Sequence, residues 1–172
     1  MIGVLAHHLV NSSRVNDRQT FLLQRVQPAM TGLIDGSLST LAPIFAVALA
    51  TREPHVAFFA GLATAIGAGI SMAFSEGLSD TGELTGRGNP FIRGSITGAG
   101  TLIGGILHTL PFLIPHFRAA IISAIVVVAF ELVGLAWLRW RYFQVSFGRA
   151  LATVTLGGVV IAAVSAALGT AA

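Results

Sequence analysis

Five stretches of this chain run for about twenty residues or more with almost no charge, and their spacing constrains the fold more than any other feature. Residues 54–75 (22 residues), 94–117 (24) and 150–172 (23) contain no Asp, Glu, Lys or Arg. Residues 26–51 (26) are interrupted only by Asp35, and residues 119–138 (20) only by Glu131. A hydrocarbon core of ~30 Å is crossed by about 20 apolar residues in a helix. In lipid a helix satisfies its backbone groups internally, and five segments cannot close a barrel. The expectation is an all-α membrane protein with five transmembrane helices, near residues 28–50, 55–77, 92–114, 118–138 and 147–169. Residues 1–25 read as a cytoplasmic N-terminal arm, and residues 26–172 as one five-helix transmembrane domain.

Composition excludes other classes. Of 172 residues, 10% are charged and 54% are hydrophobic, and the mean hydropathy is +0.82. Soluble domains carry roughly a quarter charged residues, so a soluble enzyme, a disordered tail and a coiled coil are ruled out. The pI of about 11.1 reflects ten arginines diluted in an apolar chain. Such arginines are topology signals, and no nucleic-acid partner is expected. With no cysteine, disulfides and thiolate chemistry are excluded. Met1 to Val10 is apolar but lacks the basic start and cleavage pattern of a signal peptide.

The arginines also orient the chain. Arg14, Arg18 and Arg25 in the arm, Arg87 and Arg93 after the second span, and Arg139, Arg141 and Arg149 after the fourth all fall on one side. Only Arg52 and Arg118 fall on the other. This eight-to-two split predicts a cytoplasmic amino terminus and an outer carboxyl terminus. Small residues four apart, Gly32/Gly36, Gly94/Gly98 and Gly100/Gly104, let helix backbones approach closely. They mark either internal packing or a dimer seam. Five helices rarely enclose a polar path alone, which favours a homodimer.

An ionisable residue within the bilayer is costly and is a functional candidate by default. Asp35 lies about seven residues into the first span, and Glu131 about seven residues from the cytoplasmic end of the fourth. Met72 lies about six residues into the second span from the same side, with Glu76 one turn nearer the cytoplasm. At 1.5 Å per residue, all four are expected within ~10 Å of one boundary. Carboxylate oxygens with a thioether suit a borderline divalent metal such as Fe²⁺. An arginine partner such as Arg25 or Arg139 is the structural alternative for Asp35. Core filler is the alternative for Met72, and an ion pair or a bonded protonated carboxyl for Glu131. Glu76, Asp80 and Glu83 are spaced four and three apart. They would share a helix face and form an acidic cytoplasmic mouth for cations, or only a solvated helix end. His108 is a candidate proton relay with Glu131, or a hydrogen-bonded structural histidine. Pro43 removes a hydrogen bond from the first span and frees the Ser39 carbonyl. His7 and His8 receive no role. No Gly-x-Ser-x-Gly, HExxH or Walker loop is present.

The runs Thr31-Gly-Leu-Ile-Asp-Gly-Ser-Leu-Ser-Thr40, Gly69-Ile-Ser-Met-Ala-Phe-Ser-Glu-Gly-Leu-Ser79 and Leu107-His-Thr-Leu-Pro-Phe-Leu-Ile-Pro115 resemble the vacuolar iron transporter family. More narrowly, residues 20–170 are similar to the membrane part of bacterial membrane-bound ferritins, in which a rubrerythrin-like domain precedes such a transporter. The resemblance implies a homodimer in a bacterial inner membrane that exports Fe²⁺, with Mn²⁺ as a second cargo, in exchange for protons. The ion path would follow the interface between the two first spans. Asp35 then matches the family's metal aspartate, Met72 its methionine, and Glu76 the glutamate that follows. Two departures stand out. Thr64 occupies a position where many relatives carry another glutamate, and residues 77–91 replace the long acidic segment of plant and yeast members. The arm holds no paired Glu-x-x-His motif, so no ferroxidase activity is expected. The reading is therefore a transporter and not an enzyme, with divalent metal as cargo and no tightly bound cofactor. A ferritin-like domain or partner is the further partner that the resemblance implies. The runner-up is a membrane anchor or dimerisation module for such a partner. An intramembrane hydrolase is the third class.

Overall fold

The computed structural model describes residues 16–171. Arg14, His7 and His8, and the first fifteen residues of the arm, lie outside the described residues. Every regular element among the described residues is helical. A helical rod, interrupted at Thr40, runs over Asn16–Thr51. It contains a π-turn at Leu22–Val26, helix α1 at Gln27–Ser39 and helix α2 at Leu41–Thr51. Helices α3 (Pro54–Ser79), α4 (Pro90–Leu107), α5 (Phe117–Phe143) and α6 (Phe147–Ala171) follow, with a 3₁₀ turn at Leu110–Leu113 between α4 and α5. The rod, α3, α5 and α6 are each long and apolar enough to cross a membrane. This is the build of a multi-pass membrane protein.

Helix boundaries differ from the sequence expectation where local chemistry overrides hydropathy. The first span was expected over 28–50 as one helix. It begins at least at Asn16, inside the expected arm, and breaks at Thr40. Pro43 has no N–H for the Ser39 carbonyl, and α1 ends at Ser39. The third span was expected over 92–114, but α4 ends at Leu107. Pro111 lies four residues on and cannot donate to the Leu107 carbonyl. The fourth span was expected to stop at residue 138. Instead α5 continues to Phe143, where Gln144 turns left-handed at φ 55°.

α4, the expected third span, is the central element, although it is not among the four helices long and apolar enough to cross a membrane. Eight of its residues are buried, among them Gly94, Gly98, Gly100 and Gly104. Its two glycine faces serve two neighbours. A Cβ at Gly100 or Gly104 would press on the α1 backbone at Ala29, Leu33 and Ser37, and one at Gly94 or Gly98 on the α3 backbone at Gly69, Ala73 and Gly77. Conversely, Gly32 and Gly36 of α1 lie against the Thr97 and Thr101 carbonyls. All three glycine pairs are thus used inside the chain. Residue numbers rise together along α1 and α4, and in opposite senses along α3 and α4, so α1 and α4 are parallel and α3 is antiparallel to both. Gly157 near Leu38 and Gly169 on Ala46 place α6 parallel to the first rod.

Two apolar clusters occupy the two ends of the bundle. Met30, Leu135, Ala136, Ala150 and Val154 form one. Ile44, Ala48, Ala57, Phe112, Ala120 and Ala124 form the other. The end holding Met30 and the 80–89 loop is called the near end below, and the end holding Phe112 the far end. Large apolar side chains such as Phe74, Phe130, Leu156 and Leu168 remain exposed along the outer faces, as lipid contact requires.

Candidate functional site

The candidate residues fall into three places. At the near end, Asn89 caps α4. Its side-chain oxygen accepts from the Phe91 and Ile92 N–H groups at 2.9 and 3.2 Å, with Pro90 at the first helical position. One turn later Arg93 points back under the loop, only 1% exposed. Its Nε donates to Glu76 Oε1 at 2.8 Å, and its Nη1 to Asp80 Oδ1 and the Gly88 carbonyl at 3.3 Å. Arg87 donates to the same two acids, to Glu76 Oε1 at 2.6 Å and Asp80 Oδ2 at 3.1 Å. Thr85 donates to Asp80 Oδ1 at 3.0 Å.

Two carboxylates and two guanidiniums therefore close a neutral cluster that holds the 80–89 loop on the bundle. Desolvation pushes the Asp80 carboxyl up. The hydrogen bonds from Thr85 and the Gly82 backbone, with the charges of Arg93 and Arg87, outweigh it and hold Asp80 below the usual aspartate value. The loop follows from its glycines. Gly82 has φ 82° and its Cα faces the Gly88 carbonyl, a conformation and a space that only glycine fits. The expected acidic helix face is not formed. α3 ends at Ser79, Asp80 is extended, and Glu83 lies exposed in the turn that follows.

The second place is mid-bundle, between the two apolar clusters. His108 follows the end of α4 and is fully buried. Its Nδ1 lies 2.9 Å from Glu131 Oε2, and its Nε2 lies 2.7 Å from Thr40 Oγ1. Thr40, at the break between α1 and α2, also donates to the Gly36 carbonyl at 2.7 Å. Gly105 leaves the room that the Thr40 methyl occupies. The Glu131 side chain is 7% exposed. The extension of α5 to Phe143 moves it from the expected inner third of its helix to near the middle. His108 and Glu131 were both candidates from sequence; Thr40 was not. The signal for it was present, since a threonine three residues before Pro43 sits where the helix must open.

The third place is the outer face of α1. Thr31, Asp35 and Ser39 are spaced one turn apart, with Thr31 and Ser39 exposed and Asp35 half-buried. Neither Arg25 nor Arg139 pairs with Asp35 among the described residues. A cleft of about 210 Å³ with Gln27, Thr31 and Arg139 on its wall opens one turn away. Met72 is half-buried on α3, one turn before Glu76. Thr64 bonds back to the Ala60 carbonyl of its own helix at 2.8 Å.

Asp35 and Met72 sit half-buried on α1 and α3, and Glu76 is held by Arg87 and Arg93. Among the described residues no group of three or more His, Asp or Glu side chains could hold a metal ion. One chain offers oxygen from Asp35 and sulfur from Met72, while Glu76 is engaged by both arginines. Arg87 and Arg93, read from sequence as topology signals, are structural ion-pair partners. No family model, curated protein or solved structure matches this chain.

Proposed function

We propose that this chain is a divalent metal transporter that exports Fe²⁺, with Mn²⁺ as a second cargo, by proton antiport along the interface of a homodimer in a bacterial inner membrane. The observation that carries the reading is Asp35. It is a carboxylate on a membrane-crossing helix, without an arginine partner among the described residues, on a polar stripe that a single chain leaves uncovered. A carboxylate facing lipid is costly. A second copy placed over the Thr31–Asp35–Ser39 stripe removes that cost and doubles the donor set. Two Asp35 carboxylates with two Met72 thioethers combine hard oxygen and soft sulfur, which suits a borderline cation such as Fe²⁺. Metal binding displaces protons from such carboxylates, which couples the two ions in opposite directions. Glu76 would join the ligand set only by leaving Arg87 and Arg93, so Asp35 and Met72 are its core. Parallel α1 and α4, each ended by the effect of a proline near mid-bundle, give the broken-helix geometry on which transport sites are built.

The test is Fe²⁺ flux into liposomes holding the purified chain, with and without a pH gradient. Asp35→Asn is expected to abolish flux. Met72→Leu keeps volume and removes sulfur, and is expected to reduce Fe²⁺ flux more than Mn²⁺ flux. Wild-type flux in Asp35→Asn overturns the assignment. Absence of flux in the unaltered protein favours the membrane-anchor reading.

A further inference from the structure

The Thr40–His108–Glu131 cluster has a proton count that its geometry fixes. A carbonyl has no hydrogen to give, so the 2.7 Å contact between Thr40 Oγ1 and the Gly36 oxygen uses the threonine hydroxyl hydrogen. Thr40 Oγ1 then has only lone pairs left for His108 Nε2, also 2.7 Å away. The hydrogen in that contact therefore belongs to Nε2. On the other side of the ring, Nδ1 and Glu131 Oε2 stand 2.9 Å apart. One further proton lies between them, as imidazolium with carboxylate or as imidazole with carboxylic acid. Both forms are neutral. Without that proton, two lone pairs face each other and a bare carboxylate remains where water is scarce.

We propose that His108 and Glu131 form a single proton-binding site that, through Thr40, couples occupancy by one proton to the break between α1 and α2. Two further observations point the same way. Glu131 Oε1 is buried with no hydrogen-bond partner among the described residues, so it is the atom that an arriving hydronium or water would meet. The site also joins two interrupted helices, since α1 gives way at Thr40 and α4 stops at Leu107. When the proton leaves, repulsion between Nδ1 and Oε2 turns the ring, and the Nε2–H bond to Thr40 breaks. Thr40 keeps its bond to Gly36, so the break between α1 and α2, five residues from Asp35, loses its tie to the end of α4, while the glycine contacts hold the rest of α1 on α4. Among the described residues no other titratable group shares the site. α1 carries Asp35 and α2 none. α3 carries His55 at its start and Glu76 near its end, α4 Arg93 at its start, α5 Arg118, Arg139, Arg141 and Tyr142 towards its ends, and α6 only Arg149 at its start. The assignment of this proton as the counter-ion of transport rests on the function proposed above; the proton site itself does not.

The test is an infrared difference titration of the full chain in liposomes, paired with hydrogen exchange over residues 36–44. One joint protonation signal is expected, and it is lost in His108→Gln and in Glu131→Gln alike. Thr40→Val, which replaces the hydroxyl by a methyl of similar shape, is expected to keep the signal but lose the pH dependence of exchange. Independent signals removed one per variant, or no signal, overturn the site. Unchanged pH-dependent exchange in Thr40→Val overturns the coupling. If His108→Gln does not fold, Glu131→Gln reads the same signal. In the same liposomes, protons released per Fe²⁺ moved should fall in Glu131→Gln, the remainder being those displaced from Asp35, and an unchanged ratio overturns the counter-ion role. An unaltered chain that moves no Fe²⁺ sinks the transport proposal, while the infrared titration still decides the proton site.

Discussion

Arg93 is the residue whose removal should harm this chain most. Its guanidinium is buried and gathers Glu76, Asp80, Ser79 and the Gly88 carbonyl. A buried pair broken from one side leaves an uncompensated charge, at a cost of about 3–5 kcal/mol. Arg93→Met should therefore lower the unfolding midpoint in detergent sharply, and more than Arg87→Met, whose side chain is 22% exposed. An equal or smaller loss would show that the cluster is screened by water. The same cluster predicts an acid response. Asp80 ionises more easily folded than unfolded, because its hydrogen-bond donors and arginines favour the charged form. Stability from this group is complete above the ordinary aspartate value of 3.8 and is lost as pH falls below it. Proteolysis of the 80–89 loop should therefore accelerate below that pH. Asp80→Asn should remove that acceleration, and a variant that still shows it would place the acid-sensitive group elsewhere.

At the scale of the element, helix packing is decided by backbone contact, with little help from side-chain bulk. Gly36 lies on the Thr101 carbonyl and Gly32 on the Thr97 carbonyl, an approach that permits Cα–H···O contacts. A methyl at Gly36 would meet the Thr101 backbone, which cannot swing aside. Gly36→Ala should cost about 2–3 kcal/mol. Gly67→Ala meets nothing within 4 Å, and the gain in helix propensity makes it neutral or stabilising by up to about 1 kcal/mol. Thermal unfolding of the two variants side by side tests this, and equal effects would refute the α1–α4 contact. The glycine spacing made these contacts legible in the sequence, but not which helix each face meets. Hydropathy located five helical segments, of which four are long and apolar enough to cross a membrane, and missed their ends. The stop at Leu107 was written in Pro111, but the apolar run continued through it. The extension to Phe143 was hidden because Arg139 and Arg141 read as a boundary, whereas arginines on a helix end extend their charge outward without ending the helix.

Across the whole molecule, the polar groups divide between an internal use and an external one. The near-end arginine cluster and the mid-bundle histidine site are closed within the chain. Sequence spacing named Glu76, Asp80, His108 and Glu131 but could not reveal their partners, because the contacts of Glu76 with Arg93 and of His108 with Thr40 span 17 and 68 residues. The Thr31–Asp35–Ser39 stripe, which carries a carboxylate, turns outward. In an aqueous protein it would be an ordinary wet face. On a rod otherwise apolar enough to cross a membrane, it calls for a partner with the same polarity, and a second copy related by a two-fold axis supplies one, since the same patch then covers itself. The absence of native cysteine makes this directly testable. A lone cysteine at Ser39, exposed on the stripe, should give a disulfide-linked dimer in the membrane under mild oxidation. A lone cysteine at Leu156, exposed on α6, should stay monomeric. Equal cross-linking at both sites would mean random collision. Cross-linking at Leu156 alone would move the interface to α6 and leave Asp35 without the neighbour that the transport proposal requires.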